Sequence, residues 1–343
     1  MIRKLASIQK ILDIQPIEGA DAIEVATVNS WKVVIAKKDN FKVGDLVVYC
    51  EVDSWIPHKL APFLSKGQYP RVYDGVEGER LKTVRLRGQI SQGLILPYSV
   101  VMTYNAVFAD VSEGAAVSEI LSIVKYEPPV SPQLAGISLG AFPSQVPKTD
   151  EERIQNLTNE WPTLSTYWYE VTEKLEGSSM TVGLINDEFK VCSRNLNLKE
   201  VEGNTMWNLA RKYRIEEILR EVIGQNIVFQ GEVIGEGVQK NHYGIKGHDF
   251  YVFAIYDTDL GAYWEPKKRK ALCDLIGLKH VPIIDEGAYF TGMTIDEVLK
   301  HADGHSLLNQ KVLREGEVFK RIDGQEHFKA VSNKYLLKHD ERD

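Results

Sequence analysis

Cysteine is scarce in this 343-residue chain, with only Cys50, Cys192 and Cys273, far apart, odd in number and without a C-x-x-C pair. That excludes a disulfide framework and a cysteine-held zinc, and leaves each thiol as a small buried hydrophobe. No run of eighteen apolar residues occurs, and Met1-Ile2-Arg3-Lys4-Leu5 opens no signal-peptide hydrophobic stretch. Neither membrane insertion nor export is expected, and the cytoplasm is the expected compartment. An excess of positive charge is also missing, since 41 Lys and Arg face 48 Asp and Glu for a net charge of -7. The deficit is uneven: residues 1–130 carry 15 of each sign, so the whole acid excess lies beyond them, where a metal site could use part of it. Phosphate loops are absent too. Gly235-Glu236-Gly237-Val238 satisfies neither G-x-G-x-x-G nor G-x-x-x-x-G-K-[ST], which excludes dinucleotide-fold and P-loop readings.

What is present begins with short β-segments over residues 1–125. Ile23–Val28 and Trp31–Ile35 are rich in β-branched residues about an Asn29-Ser30 turn, which predicts a hairpin, and Leu46–Val52 and Leu81–Gly88 read as further strands. Short strands at regular spacing predict a small barrel of the OB type. Arg80, Lys82, Arg85 and Arg87 form a basic ladder suited to phosphates, with Trp31, Trp55 and Tyr69 available for base stacking; solvated strand charges are the plain alternative. Residues 126–148 are punctuated by proline at Glu127-Pro128-Pro129-Val130-Ser131-Pro132 and Pro143–Pro147, and read as a linker. Thr149 with Glu152 three residues on is a capping box, which predicts a helix over Thr149–Asn159. The second domain, 149–343, mixes strands and helices, so the whole chain is expected to be α+β, with antiparallel sheets and flanking helices following the barrel.

Within that second domain, Tyr167–Thr172 reads as a strand and delivers Glu173-Lys174-Leu175-Glu176-Gly177-Ser178-Ser179. A lysine attacks phosphorus only as the neutral amine, so a nucleophilic Lys174 requires its pKa to fall from ~10.4 through desolvation and neighbouring cations or a metal. A bare K-x-x-G is met by many surface lysines, and only its company can distinguish it. That company comprises a hairpin about Asn186-Asp187 leading to Ser193-Arg194-Asn195, a strand at Ile227–Ile234 carrying Gly231-Glu232, and the apolar Phe250–Asp257. It also includes Glu315-Gly316-Glu317-Val318 and Phe328-Lys329, on two segments joined by a turn at Asp323-Gly324, the second read as extended to Leu336. Met206, Leu209, Ala210, Tyr213, Ile218, Leu219 and Val222 form the core stripe of one helix over about 205–223, and short helices are predicted near Glu265–Ile276 and Thr294–Ala302.

In order, Lys174-x-x-Gly177, Gly231-Glu232, Phe250–Asp257, Glu315-Gly316-x-Val318 and Phe328-Lys329 resemble motifs I, III, IIIa, IV and V of the covalent nucleotidyltransferases, the superfamily of polynucleotide ligases and capping enzymes. Val146–Leu157, Ser193-Arg194-Asn195 and Leu86–Gly93 look like the ATP-dependent RNA ligase family typified by the Deinococcus enzyme, over essentially the whole chain. The resemblance implies an RNA ligase that forms a lysyl-AMP on Lys174 from ATP, passes AMP to a 5′-phosphate and seals it to a 3′-hydroxyl. It further implies that Glu173 accepts from the adenine amino group, with Gly177 beside the nucleotide. Arg194 binds ribose or phosphate, Phe253 stacks on adenine and Lys329 neutralises the α-phosphate. Glu232 holds a ribose hydroxyl or orients metal water, and with Glu315 it serves Mg2+ or Mn2+. The implied partner is RNA with 3′-OH and 5′-phosphate ends in a nicked duplex or RNA–DNA hybrid, engaged by a monomer with no membrane association.

Two positions depart from the pattern. Val331 stands where motif V commonly has a second lysine, and Ser178-Ser179 follow Gly177 where Thr-Asn is common in related ligases. Few residues follow Leu337, so no C-terminal domain is expected and the barrel is left to engage the nucleic acid. A GTP-using capping-type enzyme and a non-catalytic RNA-binding protein are the alternatives.

Overall fold

The computed structural model describes residues 4–104, 111–127 and 132–340, so Pro128–Ser131 of the proline-rich stretch and Met1–Arg3 lie outside the described residues. The chain forms two compact units, one made of Met1–Pro128, Ile154–Asn159 and Leu336–Asp343, the other of Pro129–Arg153 and Glu160–Tyr335.

The first unit is built on β1 (Ala6–Pro16), β2 (Ile23–Val28), β3 (Trp31–Ala36) and β4 (Leu46–Cys50). A bulge between Ile11 and Asp13 lets the long β1 pair with β4 through its first half and with β2 through its second, which is how a sheet curls towards closure. After β5 (Ser54–Pro57), β6 (Arg71–Tyr73) and β7 (Val76–Arg80) come the ribbon β8 (Thr83–Leu86) and β9 (Gln89–Gln92), then β10 (Leu94–Pro97), which completes the order β10-β4-β1-β2-β3. The Ser91 hydroxyl accepts from the Val34 backbone N–H at 2.9 Å, joining the ribbon to the β3 edge. β11 (Val124–Lys125) adds to β5. Asn29 adopts φ 51°, as the predicted two-residue turn requires.

Trp31 and Trp55, expected to be available for stacking, are buried. The Trp31 indole N–H donates to Asn156 Oδ1 at 2.5 Å and that of Trp55 to the Val76 carbonyl at 3.1 Å, so both are committed to the interior; Tyr69 is exposed. The Asn156 side chain also donates to Glu51, at 2.5 Å, which ties Ile154–Asn159 to the first unit although the sequence reading assigned it to the second domain.

The second unit contains two sheets. One follows the order β12-β17-β16-β15-β18-β19-β20, from β12 (Ile137–Ala141), β15 (Ser178–Ile185), β16 (Glu188–Ser193), β17 (Leu196–Lys199), β18 (Ile227–Gly235), β19 (His248–Asp257) and β20 (Ala262–Tyr263), with β21 (Lys279–His280) parallel beside β19. The other follows β13-β24-β23-β14-β22, from β13 (Glu152–Arg153), β14 (Trp168–Lys174), β22 (Ile283–Tyr289), β23 (Gly316–Arg321) and β24 (His327–Val331). β14 ends at Lys174 and β15 begins at Ser178, so the stretch read as functional is where the chain passes between the sheets.

Four sequence expectations are corrected. Thr149–Asn159 is not one helix, and only Ile154–Asn156 makes a single 3-10 turn: Glu152 and Arg153 pair in parallel with Phe328 and Lys329, and the Thr149 hydroxyl bonds Ser179 at 3.1 Å, so the residues of the capping box are engaged elsewhere. Part of the expected linker is the edge strand β12. The single helix over 205–223 breaks at Arg214, whose φ of 51° divides Thr205–Lys212 from Ile215–Glu217 and the π-helical Ile218–Ile223. The last strand stops at Val331, and a helix starts at Asn333.

Alternation along β14, β23 and β24 gives the second sheet two unlike faces. One is aromatic: Phe319 and Phe328 stack at 4.8 Å, with Tyr169, Phe290 and Trp161 edge-on or tilted around them. Phe319 is fully buried in this layer. Phe319→Ala should therefore cost ~3–5 kcal/mol of stability, measured by denaturant unfolding; a loss below about 1 kcal/mol would show that this layer does not support the sheet.

Candidate active site

The opposite face of that sheet carries charge. Register places Lys174 across from Gly316, and Gly316 across from Val331, as one rung. Thr172, Val318 and Lys329 form the next, and Glu170, Lys320 and His327 the third. Lys174, Lys329 and Lys320 thus share a face from three different strands. Glu315 precedes β23, and its carboxylate accepts from Lys174 Nζ at 2.6 Å, with both side chains largely shielded. Burial pulls the lysine pKa down, but the Glu315 and Glu232 carboxylates outweigh it, so the net direction is upward. That direction favours the ammonium, the reverse of the state its proposed chemistry requires.

Glu232, on β18 across from Ser179, is affected oppositely. Burial, with Glu315 adding to it against the pull of Lys174, pushes its carboxyl up to about 8. A buried carboxyl kept protonated beside a second oxygen donor is a fitting seat for a hard divalent cation, which would take the place of the proton. Among the described residues no three His, Cys, Asp or Glu side chains converge as a ligand cage. A cation held by Glu232 and Glu315 would therefore take its other ligands from water and phosphate oxygens, as Mg2+ and Mn2+ do. Gly177 is required sterically rather than conformationally, because a Cβ there would lie 2.4 Å from the Val233 carbonyl oxygen and 2.8 Å from Glu232 Cγ.

Asp150 holds the other expected phosphate-binding cations. It lies 3.2 Å from Lys329 Nζ and 3.3 Å from the Arg194 guanidinium. Phe253 packs with Leu175, Tyr251 and Val281, next to the lysine-bearing crossover. Glu173 is not brought into the row of Lys174. It faces the other way, across from Glu317; one oxygen accepts from the Leu307 N–H at 2.7 Å, and the other, Oε1, is buried without a partner. Burial raises its pKa.

Sequence reading missed Asp150, Lys320 and Glu151. Glu151 has its carboxyl lowered, against its burial, by Lys329 and Lys320. Period-two alternation from Val318 would have found Lys320, whereas nothing in the sequence signals the tertiary contacts of Asp150. In the first unit the basic residues do not form one ladder. Arg80 ends β7, paired with Asp53 at 2.8 Å and lying over the Tyr126 ring; Lys82 lies between strands; Arg85 is exposed on β8 and Arg87 at the ribbon turn.

The model of an OB-fold domain matches residues 5–98, and that of RNA ligase matches residues 168–336. A variant of the Naegleria gruberi RNA ligase without ligand is 45% identical, covers 99% of each chain and superposes with a TM-score of 0.92. The chain belongs to the RNA ligase family. Variants of the same Naegleria ligase with AMP and Mn, and with ATP and Mn, are likewise 45% identical over 99% of this RNA ligase and 100% of theirs, each with a TM-score of 0.91. No curated protein sequence matches this ligase.

Replacing Gly177 by alanine in this RNA ligase sets a methyl group against the Val233 carbonyl. The backbone carrying that carbonyl is a central strand and cannot yield cheaply, so the crossover must move instead. Strand joining should slow by on the order of 10²-fold with circular dichroism unchanged; undiminished joining would contradict the packing role of Gly177.

Proposed function

We propose that this RNA ligase is ATP-dependent and belongs with the Deinococcus-type enzymes, joining 3′-OH and 5′-phosphate ends of RNA in nicked duplexes or RNA–DNA hybrids, as a cytoplasmic monomer. The observation that carries the catalytic part is the Lys174–Glu315 contact, with Glu232 beside it and Lys329 one rung away on the same face. Lys174 Nζ attacks the α-phosphorus of ATP, the N–P bond forms and pyrophosphate leaves. An RNA 5′-phosphate oxygen then takes the AMP and frees the lysine, and the 3′-hydroxyl attacks that phosphate and expels AMP.

Lys329 neutralises the α-phosphate, and Arg194 holds ribose or phosphate once the nucleotide draws both from Asp150. Phe253 stacks on adenine. Glu232 and Glu315 hold Mg2+ or Mn2+, which when bound supplies positive charge that lowers the lysine pKa and offsets charge on the phosphate. The Naegleria structures with ATP and Mn, and with AMP and Mn, support the choice of nucleotide and metal. Residues 1–125 supply the nucleic-acid-binding OB domain, through Lys82, Arg85 and Arg87 together with Arg80, and residues 149–343 the nucleotidyltransferase domain.

The Deinococcus-type assignment rests on Val146–Leu157, Ser193-Arg194-Asn195 and Leu86–Gly93. Asp150 of the first segment meets Arg194 of the second, which gives the sequence resemblance a physical basis.

Incubation with α-labelled ATP or GTP should label the protein from ATP alone. Label from GTP alone would favour the capping alternative, and none would favour a binding protein. Lys174→Ala should abolish the adduct. Glu315→Gln should slow label transfer by on the order of 10²-fold at saturating Mn2+, and an unchanged rate would remove Glu315 from the metal-binding set.

A further inference from the structure

β18 and β19 do not run in perfect step. Gln230 opposes Ala254 but Gly231 opposes Val252, so Phe253 is an extra residue on β19, a β-bulge in the middle of a long antiparallel pair. Bulges re-aim one side chain, and they occur disproportionately beside active sites. This one turns Phe253 out of strict alternation, and its backbone carbonyl accepts from Lys320 Nζ. The same ammonium lies 5.1 Å from the centre of the Phe253 ring.

Lys320 is a costly residue to keep in this position. It is 2% exposed, and among the described residues it makes no ion pair. Glu170, the carboxylate across from it on β14, is taken by the Arg269 guanidinium. Burial, with Arg269 adding to it against Glu151 and Glu170, brings its amine down to about 7. An apolar side chain of the same length would fill the space without that desolvation penalty. Packing alone therefore does not account for a lysine, whereas a donor that fastens the carbonyl of a bulged residue does.

We infer that Lys320 is a positioning residue: it holds the Phe253 bulge, and through it the aromatic ring, in the orientation that stacks on the nucleotide base. The inference rests on the proposed stacking role of Phe253. Lys320 acts on nucleotide binding rather than on the attack by Lys174, from which it is separated by the rung of Thr172, Val318 and Lys329.

The test is a double-mutant cycle in the full-length protein, with KM for ATP and kcat read from covalent label transfer. Lys320→Met and Phe253→Leu should each raise KM about tenfold with kcat within about threefold, and the double variant should be no worse than Phe253→Leu alone. A purely structural role would lower the active fraction, and so kcat, without moving KM. Should Lys320→Met not fold, Lys320→Gln enters the same cycle under the same criterion of non-additivity. A KM for Lys320→Met within twofold of the parent, or effects that multiply in the double variant, overturns the inference while leaving the proposed function intact. An unchanged KM in Phe253→Leu overturns both the stacking role and the inference that depends on it.

Discussion

The pairing of β14 with β23 in one register, from Tyr169 opposite Arg321 to Lys174 opposite Gly316, is the constraint on which the site depends. β24 extends the same register, with Val318 opposite Lys329. A slip of one residue in either pair would exchange faces, sending Lys174 or Lys329 into the aromatic layer and Phe319 or Phe328 into the charged one. The stacked Phe319 and Phe328 rings oppose such a slip, because they are buried only in the observed register. Hydrophobic packing on one face thus positions the chemistry on the other. Gly316 makes the rung of Lys174 possible, since a Cβ there would lie 2.3 Å from the Ala330 carbonyl oxygen.

On the charged face, opposing terms are held near balance. Desolvation favours a neutral Lys174, while the carboxylates of Glu315 and Glu232 favour the ammonium and prevail. Glu232 in turn is raised mainly by its own burial. In the proposed reaction the lysine is held towards its charged form until a bound cation draws the carboxylates away. The cations proposed to bind the nucleotide are held in the same way, with Asp150 contacting Lys329 and Arg194 together. In the proposed reaction, ATP and its metal exchange an internal set of ion pairs for an external one, so that few buried charges are ever left uncompensated.

Much of this was legible in the sequence wherever the signal is local. The strand before Lys174, the Asn186-Asp187 hairpin, the short helix near Thr294–Ala302 and the two strands about Asp323-Gly324 follow from period and turn chemistry, and the structure contains each of them. Local signals failed where tertiary contacts compete for the same atoms. Thr149 and Glu152 have the chemistry of a helix start, but Ser179 and β24 engage that segment first. Trp31 and Trp55 have the amphipathic character of stacking residues and are consumed by the barrel interior. Asp150 and Lys320 were not legible as parts of the site, because their partners lie more than forty residues away or across a bulge that no sequence pattern announces. Both departures from the family pattern have a definite place. Val331 completes the rung of Lys174, where it fills space without adding charge, and Ser179 bonds Thr149 and pairs across from Glu232.

The central claim is that Lys174, and no other lysine on this face, carries the nucleotide. Tandem mass spectrometry of the protein after incubation with ATP and Mn2+ tests it most directly. The account predicts an adenylate on the peptide containing Lys174 and on no other. An adenylate on Lys320 or Lys329, or on Lys174→Ala protein at any lysine, would contradict it.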